Sequence, residues 1–301
     1  FLDPTEERIE HYSHAALLDT QAIRLTEDER DAPVTLLANL GSSFEAAGAL
    51  AAGAKGVGLF RTELLYLGLD QPPTKDEQVE EYSNLLRPFT GKRVLVRVLD
   101  LDFDKPLPFL KETGTGKYAN RGLQVLLANQ DVLETQLEAL AEAQKLNPKT
   151  DLWVMAPMVL SVAEAQQFAA LARAAGLKKV GVMIEMPEVT EASVIAGILQ
   201  SVDFISIGTN DLTHYALGKS RHTAGDGAVS GTISLAETRR PEVFGLIERV
   251  VRAAKDAGKP VGICGESASD PESAKLFIEL GVDSLSASSA LLPQLKAALL
   301  A

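Results

Sequence analysis

At 301 residues, 46% apolar and 23% charged, the chain is long enough for one large soluble domain or two ordinary ones. Its formal charge of −12 argues against the clustered Lys and Arg of a nucleic-acid footprint, and its one cysteine, Cys264, excludes an internal disulfide and fits a reducing, cytoplasmic setting. No apolar run approaches the roughly 18 residues of a membrane span, and no basic-then-apolar leader opens the sequence.

Residues 1–33 differ in kind from the rest. They are rich in charge, and residues 6–22 carry the spacing of an exposed helix, so the stretch is expected to be a linker helix leading into a domain. The chain starts at Phe1 instead of Met, which suggests an excised segment and a missing N-terminal partner domain. From Val34 onward short apolar runs recur with a regular beat. They fall at 34–40, 56–60, 93–101, 152–159, 179–186, 204–208, 260–266 and 284–288, and each has the length and composition of a strand buried on both faces. Helical patterns lie between them, at 75–87, 130–146, 162–175 and 241–257, with Pro241 suited to a first helical turn and Gly176 and Gly258 placed as stops. Eight such units over residues 34–301 predict an α/β fold of the (β/α)₈ TIM-barrel type; a doubly wound open sheet is the alternative. No glycine-rich nucleotide loop follows any strand. The Gly- and Ser-rich stretch 218–238 is expected to be a functional lid.

In such a barrel the site lies where the strands end, at their C-terminal tips. The second strand delivers Arg61, Thr62 and Glu63; the third Arg97, then Asp100, Asp102, Asp104 and Lys105. The fifth ends in Glu185, the sixth in Thr209, Asn210 and Asp211, and the seventh in Cys264, Gly265 and Glu266. Ionisable groups at the tips of buried strands are costly unless paired or liganded. Arg61, Arg97, Arg121, Lys105 and Arg221 form a cationic set whose arginine forks match phosphate and carboxylate oxygens, which suggests a small, strongly anionic substrate. Glu185 and Asp211 are hard oxygen donors with no Cys or His pair at ligand spacing nearby, a set that favours Mg²⁺ or Mn²⁺ bridging to substrate phosphate. Blander readings stay open. Arg61 and Glu63 could form a rim ion pair, Asn210-Asp211 after Gly208 is ordinary turn chemistry, Cys264 could be a small buried apolar residue, and His214 and His222 could be bystanders.

Together these stretches resemble a known family. GAKGVGLFRTELLYLG (53–68), PPTKDEQVEEY (72–82), VRVLDLDFDKPLPFL (96–110), VMAPMV (154–159), VGVMIEMP (180–187), DFISIGTNDLTHYALGKSR (203–221), VGICGES (261–267) and GVDSLSASSALLPQLK (281–296) are similar to the phosphoenolpyruvate-binding C-terminal domain of Enzyme I, the phosphoenolpyruvate–protein phosphotransferase of the bacterial sugar phosphotransferase system. The resemblance implies that Arg61 and Arg97 hold the substrate phosphate, and that Asn210 and Arg221 fix its phosphate and carboxylate ends. It further implies that Glu185 and Asp211 hold Mg²⁺ and that Cys264 protonates C3 of the enolpyruvate. The phosphoryl acceptor would be a histidine of a separate N-terminal domain, which serves a histidine-containing phosphocarrier protein, and the barrel would form a homodimer. The chain departs from the family's pattern at Asp102-Phe103-Asp104-Lys105, at the loop 117–122, where Arg121 keeps its place, and at His214 and Ser220. The barrel of pyruvate phosphate dikinase or phosphoenolpyruvate synthase shares similar motifs. A non-catalytic phosphoenolpyruvate-sensing or dimerisation module is the alternative of another class.

Overall fold

The computed structural model describes residues 31–100, 107–111, 113, 121–218 and 234–301. The helix expected at 6–22 lies outside the described residues, as do Asp102, Asp104, Lys105, Arg221 and His222.

Eight parallel strands close into a barrel in sequence order: β1 Thr35–Leu40, β2 Val57–Arg61, β3 Arg93–Arg97, β4 Asp151–Ala156, β5 Val180–Ile184, β6 Phe204–Ile207, β7 Val261–Ile263 and β8 Ser284–Ser288. β8 pairs with β1 from Thr35–Ser284 to Asn39–Ser288, so no strand edge is left open and the open-sheet alternative is excluded. Among the described residues the α-helices are α1 Ala46–Ala51, α2 Lys75–Leu86, α3 Gly122–Ala128, α4 Gln130–Leu146 and α5 Val162–Ala174. They continue as α6 Ala192–Ser201, α7 Thr209–Ala216, α8 Pro241–Asp256, α9 Pro271–Leu280 and α10 Leu292–Leu300. None of the described helices is long and apolar enough to cross a membrane.

The local signals read from sequence act as expected. Pro241 opens α8, where no amide donor is needed, and Gly176 and Gly258 follow α5 and α8 with φ of 102° and 64°. Thr74 starts α2 with a capping box, its side chain taking the Glu77 amide while Glu77 returns to the Thr74 amide. The apolar outer faces of the strands meet the helices in one large core, while Leu59, Leu95, Met155, Met183, Phe204 and Cys264 fill the barrel's inside. Several strands are shorter than their apolar runs. β3 stops at Arg97 instead of 101, and β7 at Ile263 instead of 266, because the tip residues turn outward into loops that carry the polar groups.

Candidate active site

A cleft of about 640 Å³ opens at the C-terminal ends of the strands and is lined by Arg61, Arg97, Arg121, Glu185, Asn210, Asp211 and Cys264. Seven of the nine residues singled out for the site therefore meet in one place; Lys105 and Arg221 lie outside the described residues.

The arginines differ in their surroundings. Arg61 and Arg97 are register partners at the ends of β2 and β3, so two cations stand side by side on neighbouring strands. Arg61 is exposed and makes no ion pair among the described residues. Arg97 is nearly buried and lies 2.5 Å from Glu63, 3.0 Å from Asp100 and 3.9 Å from Glu185. Burial opposes its charge, but these carboxylates outweigh burial and hold the guanidinium firmly protonated. The Arg61–Glu63 rim pair considered from sequence does not form, because Glu63 is given to Arg97. Arg121, at the start of α3, donates to the Tyr215 hydroxyl at 2.5 Å and stands 3.6 Å from Asp211.

Glu185 is 2% exposed. Its Oε2 accepts a 2.8 Å hydrogen bond from the amide of Met158, the one non-glycine residue with positive φ (46°) among the described residues. A left-handed methionine is strained, and here the strain turns a backbone donor toward the carboxylate. Burial, and then the nearby Asp211 charge, push Glu185 up to about 8. Burial likewise pushes Asp100 up to about 6, against the pull of Arg97. Glu185 and Asp211, two buried carboxylates lining the same cleft, suit a divalent cation. Among the described residues no group of three or more His, Cys, Asp or Glu side chains is placed to hold a metal. A pair of carboxylates can serve a hard divalent cation that completes its shell with substrate oxygens and water.

Asn210 and Asp211 are neither a turn nor a strand tip. They lie in the first turn of α7, whose N-terminal dipole points a partial positive charge at the cleft. Two cross-ties fix this turn to the loop after β7: Asn210 Oδ1 accepts from the Glu266 amide at 3.0 Å, and the hydroxyls of Thr209 and Ser267 meet at 2.7 Å. The first of these orients the Asn210 carboxamide so that its NH₂ remains as the donor for a ligand. Close approach is needed here. A Cβ on Gly208 would come within 2.6 Å of Glu185, and one on Gly265 would overlap Thr209.

Cys264 is 3% exposed at the floor of the cleft, and its thiol points at the Ile207 carbonyl 3.7 Å away. Burial pushes the thiol up to about 11, so it holds its proton at neutral pH. Sequence reasoning overlooked Asn39. Its Nδ2 donates to the carbonyls of Cys264 (3.1 Å) and Ser286 (3.3 Å), and it ties the end of β1 to the cysteine. A polar residue near the end of an apolar run was the available signal. Asp100 was visible in the acidic run after β3, but its ion pair with Arg97 was not.

Comparison with known proteins places the chain in a family. A family model described as PEP-utilising enzyme, PEP-binding domain, matches residues 15–301. Proteins named phosphoenolpyruvate-protein phosphotransferase are 41% identical in Streptomyces coelicolor and 37% identical in Haloferax volcanii, each over 99% of this chain and 54% of the relative. One from Listeria monocytogenes is 36% identical over 96% of this chain and 53% of the relative. The chain thus spans about half the length of these curated relatives. Among solved structures, an HpcH/HpaI aldolase/citrate lyase family protein from Burkholderia cenocepacia matches with a TM-score of 0.52 at 16% identity, covering 92% of this chain and 95% of that one. An HpcH/HpaI aldolase from Desulfitobacterium hafniense matches with a TM-score of 0.51 at 18% identity, covering 85% and 86%. Both show the same fold. With an arginine-rich, carboxylate-bearing cleft at the end of a closed barrel and a family match along almost its whole length, the chain belongs to the PEP-binding domains of PEP-utilising enzymes.

Proposed function

We propose that the chain binds phosphoenolpyruvate with Mg²⁺ and presents its phosphoryl group to a histidine of a separate domain, releasing pyruvate, as the first step of a sugar phosphotransferase system. The observation that carries this reading is the convergence of Arg61, Arg97 and Asn210 with the Glu185–Asp211 pair and the protonated Cys264 in one cleft. The names of the relatives favour this reaction over the dikinase and synthase alternatives.

Arg61, free of ion pairs among the described residues, takes the incoming phosphate, and Arg97 joins it when Glu63 or Asp100 yields an edge of its fork. Asn210 and the α7 amides hold the anion in register, and Arg121, Lys105 and Arg221 complete the cationic set. Glu185 and Asp211 would hold Mg²⁺, which when bound neutralises phosphoryl charge. The phosphoryl group is already activated on the substrate, so the side chains mainly position it in line with the acceptor nitrogen. The P–O bond to the enol oxygen breaks as the N–P bond forms, which leaves the enolate of pyruvate. The Cys264 thiol then gives its proton to C3, generating pyruvate and a thiolate that solvent reprotonates. A thiol that stays protonated at neutral pH suits an acid that must not lose its proton beforehand. A buried thiol also argues against the sensing alternative, which needs no proton donor.

By the resemblance, residues 1–33 link this barrel (34–301) to the phosphohistidine domain, and the acceptor histidine serves a phosphocarrier protein in the cytoplasm. The working unit is then a homodimer. The test uses the 301-residue chain with Mg²⁺ in D₂O, following deuteration of the pyruvate methyl group by NMR alongside calorimetry of phosphoenolpyruvate binding. Exchange above the buffer rate and Mg²⁺-dependent binding are expected; the absence of both would refute the proposal.

A further inference from the structure

We infer that Gln136, acting through Thr62, is a positioning residue for the anion-binding arginines: from the outer helix α4 it fixes the tips of β2 and β3. The inference rests on the proposed role of Arg61 and Arg97 in binding the substrate.

Gln136 is fully buried, yet it sits on a helix face that packs against the barrel, where a leucine or methionine would seal the interface equally well. Its carboxamide instead reaches the two strand ends. Beyond Arg97, Val98 still finds a barrel partner, its amide donating to the Met155 carbonyl at 3.0 Å. The next amide, Leu99, is past the last rung of β3 and donates to Gln136 Oε1 at 2.9 Å. Gln136 Nε2 gives its two protons to Thr62 Oγ1 (3.2 Å) and to the Tyr82 hydroxyl (3.0 Å). The Thr62 hydroxyl, accepting from Gln136, donates in turn to the Arg97 carbonyl at 3.1 Å. Arg97 C=O, Thr62, Gln136 and Leu99 N–H therefore close a ring of hydrogen bonds around the backbone of Arg97.

Every partner in the ring neighbours a cleft residue. Thr62 is 1% exposed and stands between Arg61 and Glu63; Leu99 stands between Arg97 and Asp100. One side chain thus sets four cleft residues through the backbone that carries them. The amide orientation is fixed as well, since reversing it would set NH₂ against the Leu99 N–H. On its far side the network is anchored in α2, where the Tyr82 and Tyr66 hydroxyls donate to Gln78 Oε1 at 3.3 and 2.9 Å and Gln78 Nε2 donates to the Pro73 carbonyl at 3.0 Å. Gln78 offers a natural control, being buried in the same network without touching either strand tip.

The experiment measures phosphoenolpyruvate affinity, melting temperature and exchange of the Leu99 amide in the 301-residue chain and in Gln136→Met, Thr62→Val, Thr62→Ser and Gln78→Met. Misplaced contacts of this kind cost about tenfold or more, so Gln136→Met and Thr62→Val should weaken binding by that factor while Thr62→Ser stays within about threefold of wild type. Gln78→Met should lower the melting temperature without changing affinity. Wild-type affinity in Gln136→Met, or an equal loss of affinity in Gln78→Met, overturns the inference. If Gln136→Met does not fold, the contrast between Thr62→Val and Thr62→Ser decides it. If the wild-type chain does not bind phosphoenolpyruvate, the functional reading fails, and Leu99 exchange in the ligand-free chain decides positioning on its own. Gln136→Met must then speed that exchange and Gln78→Met must not; unchanged exchange in Gln136→Met overturns it.

Discussion

Glu63 occupies the guanidinium of Arg97 at 2.5 Å, on the strand tip beside Arg61. A carboxylate of the protein thus holds one of the two cations expected to receive the substrate phosphate. Removing its charge should free an edge of the Arg97 fork. A hydrogen bond to a charged group contributes about 1.5 kcal/mol or more, of which Asp100 will reclaim part, so Glu63→Gln is expected to bind phosphoenolpyruvate roughly fivefold more tightly. Calorimetry checks this, and weaker binding would mean that Glu63 orients Arg97 instead of competing for it.

Cys264→Ala should abolish deuteration of pyruvate while leaving phosphoenolpyruvate affinity within about twofold, since the thiol contributes a proton to the reaction and little to binding. Deuteration removes a methyl proton from pyruvate before a deuteron is returned, so it runs through the thiolate; with the wild-type thiol pushed up to about 11, exchange should rise as pH goes from 7 to 9. Loss of exchange in that range would place the proton on another group.

Stability without metal should fall as pH rises. Glu185, raised to about 8, and Asp100, raised to about 6, keep protons in the folded chain that an unfolded carboxylate releases near pH 4. The unfolded state therefore binds fewer protons across this window, and stability is greatest below about pH 4 for these groups and declines toward pH 8. Melting curves in chelator at pH 5, 6, 7 and 8 should show the decline, Glu185→Gln should flatten it, and Mg²⁺ should reverse much of it at pH 8. A slope that survives in Glu185→Gln and Asp100→Asn would assign it elsewhere.

Asp211→Ala should remove the dependence of phosphoenolpyruvate affinity on Mg²⁺, because one carboxylate, Glu185, would remain to hold the cation. Titrations with and without Mg²⁺ measure that coupling, and a coupling equal to the wild type's would exclude Asp211 as a ligand.

Gly265→Ala tests the tie between the β7 loop and α7. The added methyl would overlap Thr209 and press on its backbone amide, so the first turn of α7 must move. Overpacking of this kind costs about 1–3 kcal/mol, and the shift should also weaken substrate binding by displacing Asn210 and Asp211. Denaturant melts with parallel binding isotherms check both effects.

The sequence alone determined the architecture, because each βα unit is specified locally. Apolar runs of strand length, helical spacing between them, Pro241 at a helix start and glycines such as Gly176 and Gly258 at helix stops act within a few residues of themselves. It also placed the chemistry on one rim, since a polar residue ending a buried run has few other places to be. The chemistry of each side chain was decided by barrel closure. Glu63 turned to Arg97 instead of Arg61, because parallel pairing of β2 with β3 sets the two arginines level and brings the neighbouring strand's cation within reach. Asn210 and Asp211, legible as a polar cluster, became the first turn of a helix tied to Glu266, 56 residues away. The strained amide of Met158 on Glu185 and the carboxamide of Gln136 on Leu99 left no trace in composition or spacing, because both contacts join elements far apart in the chain. Which groups are buried together fixes how tightly each holds its proton, and that is a property of distances that exist once the barrel has closed.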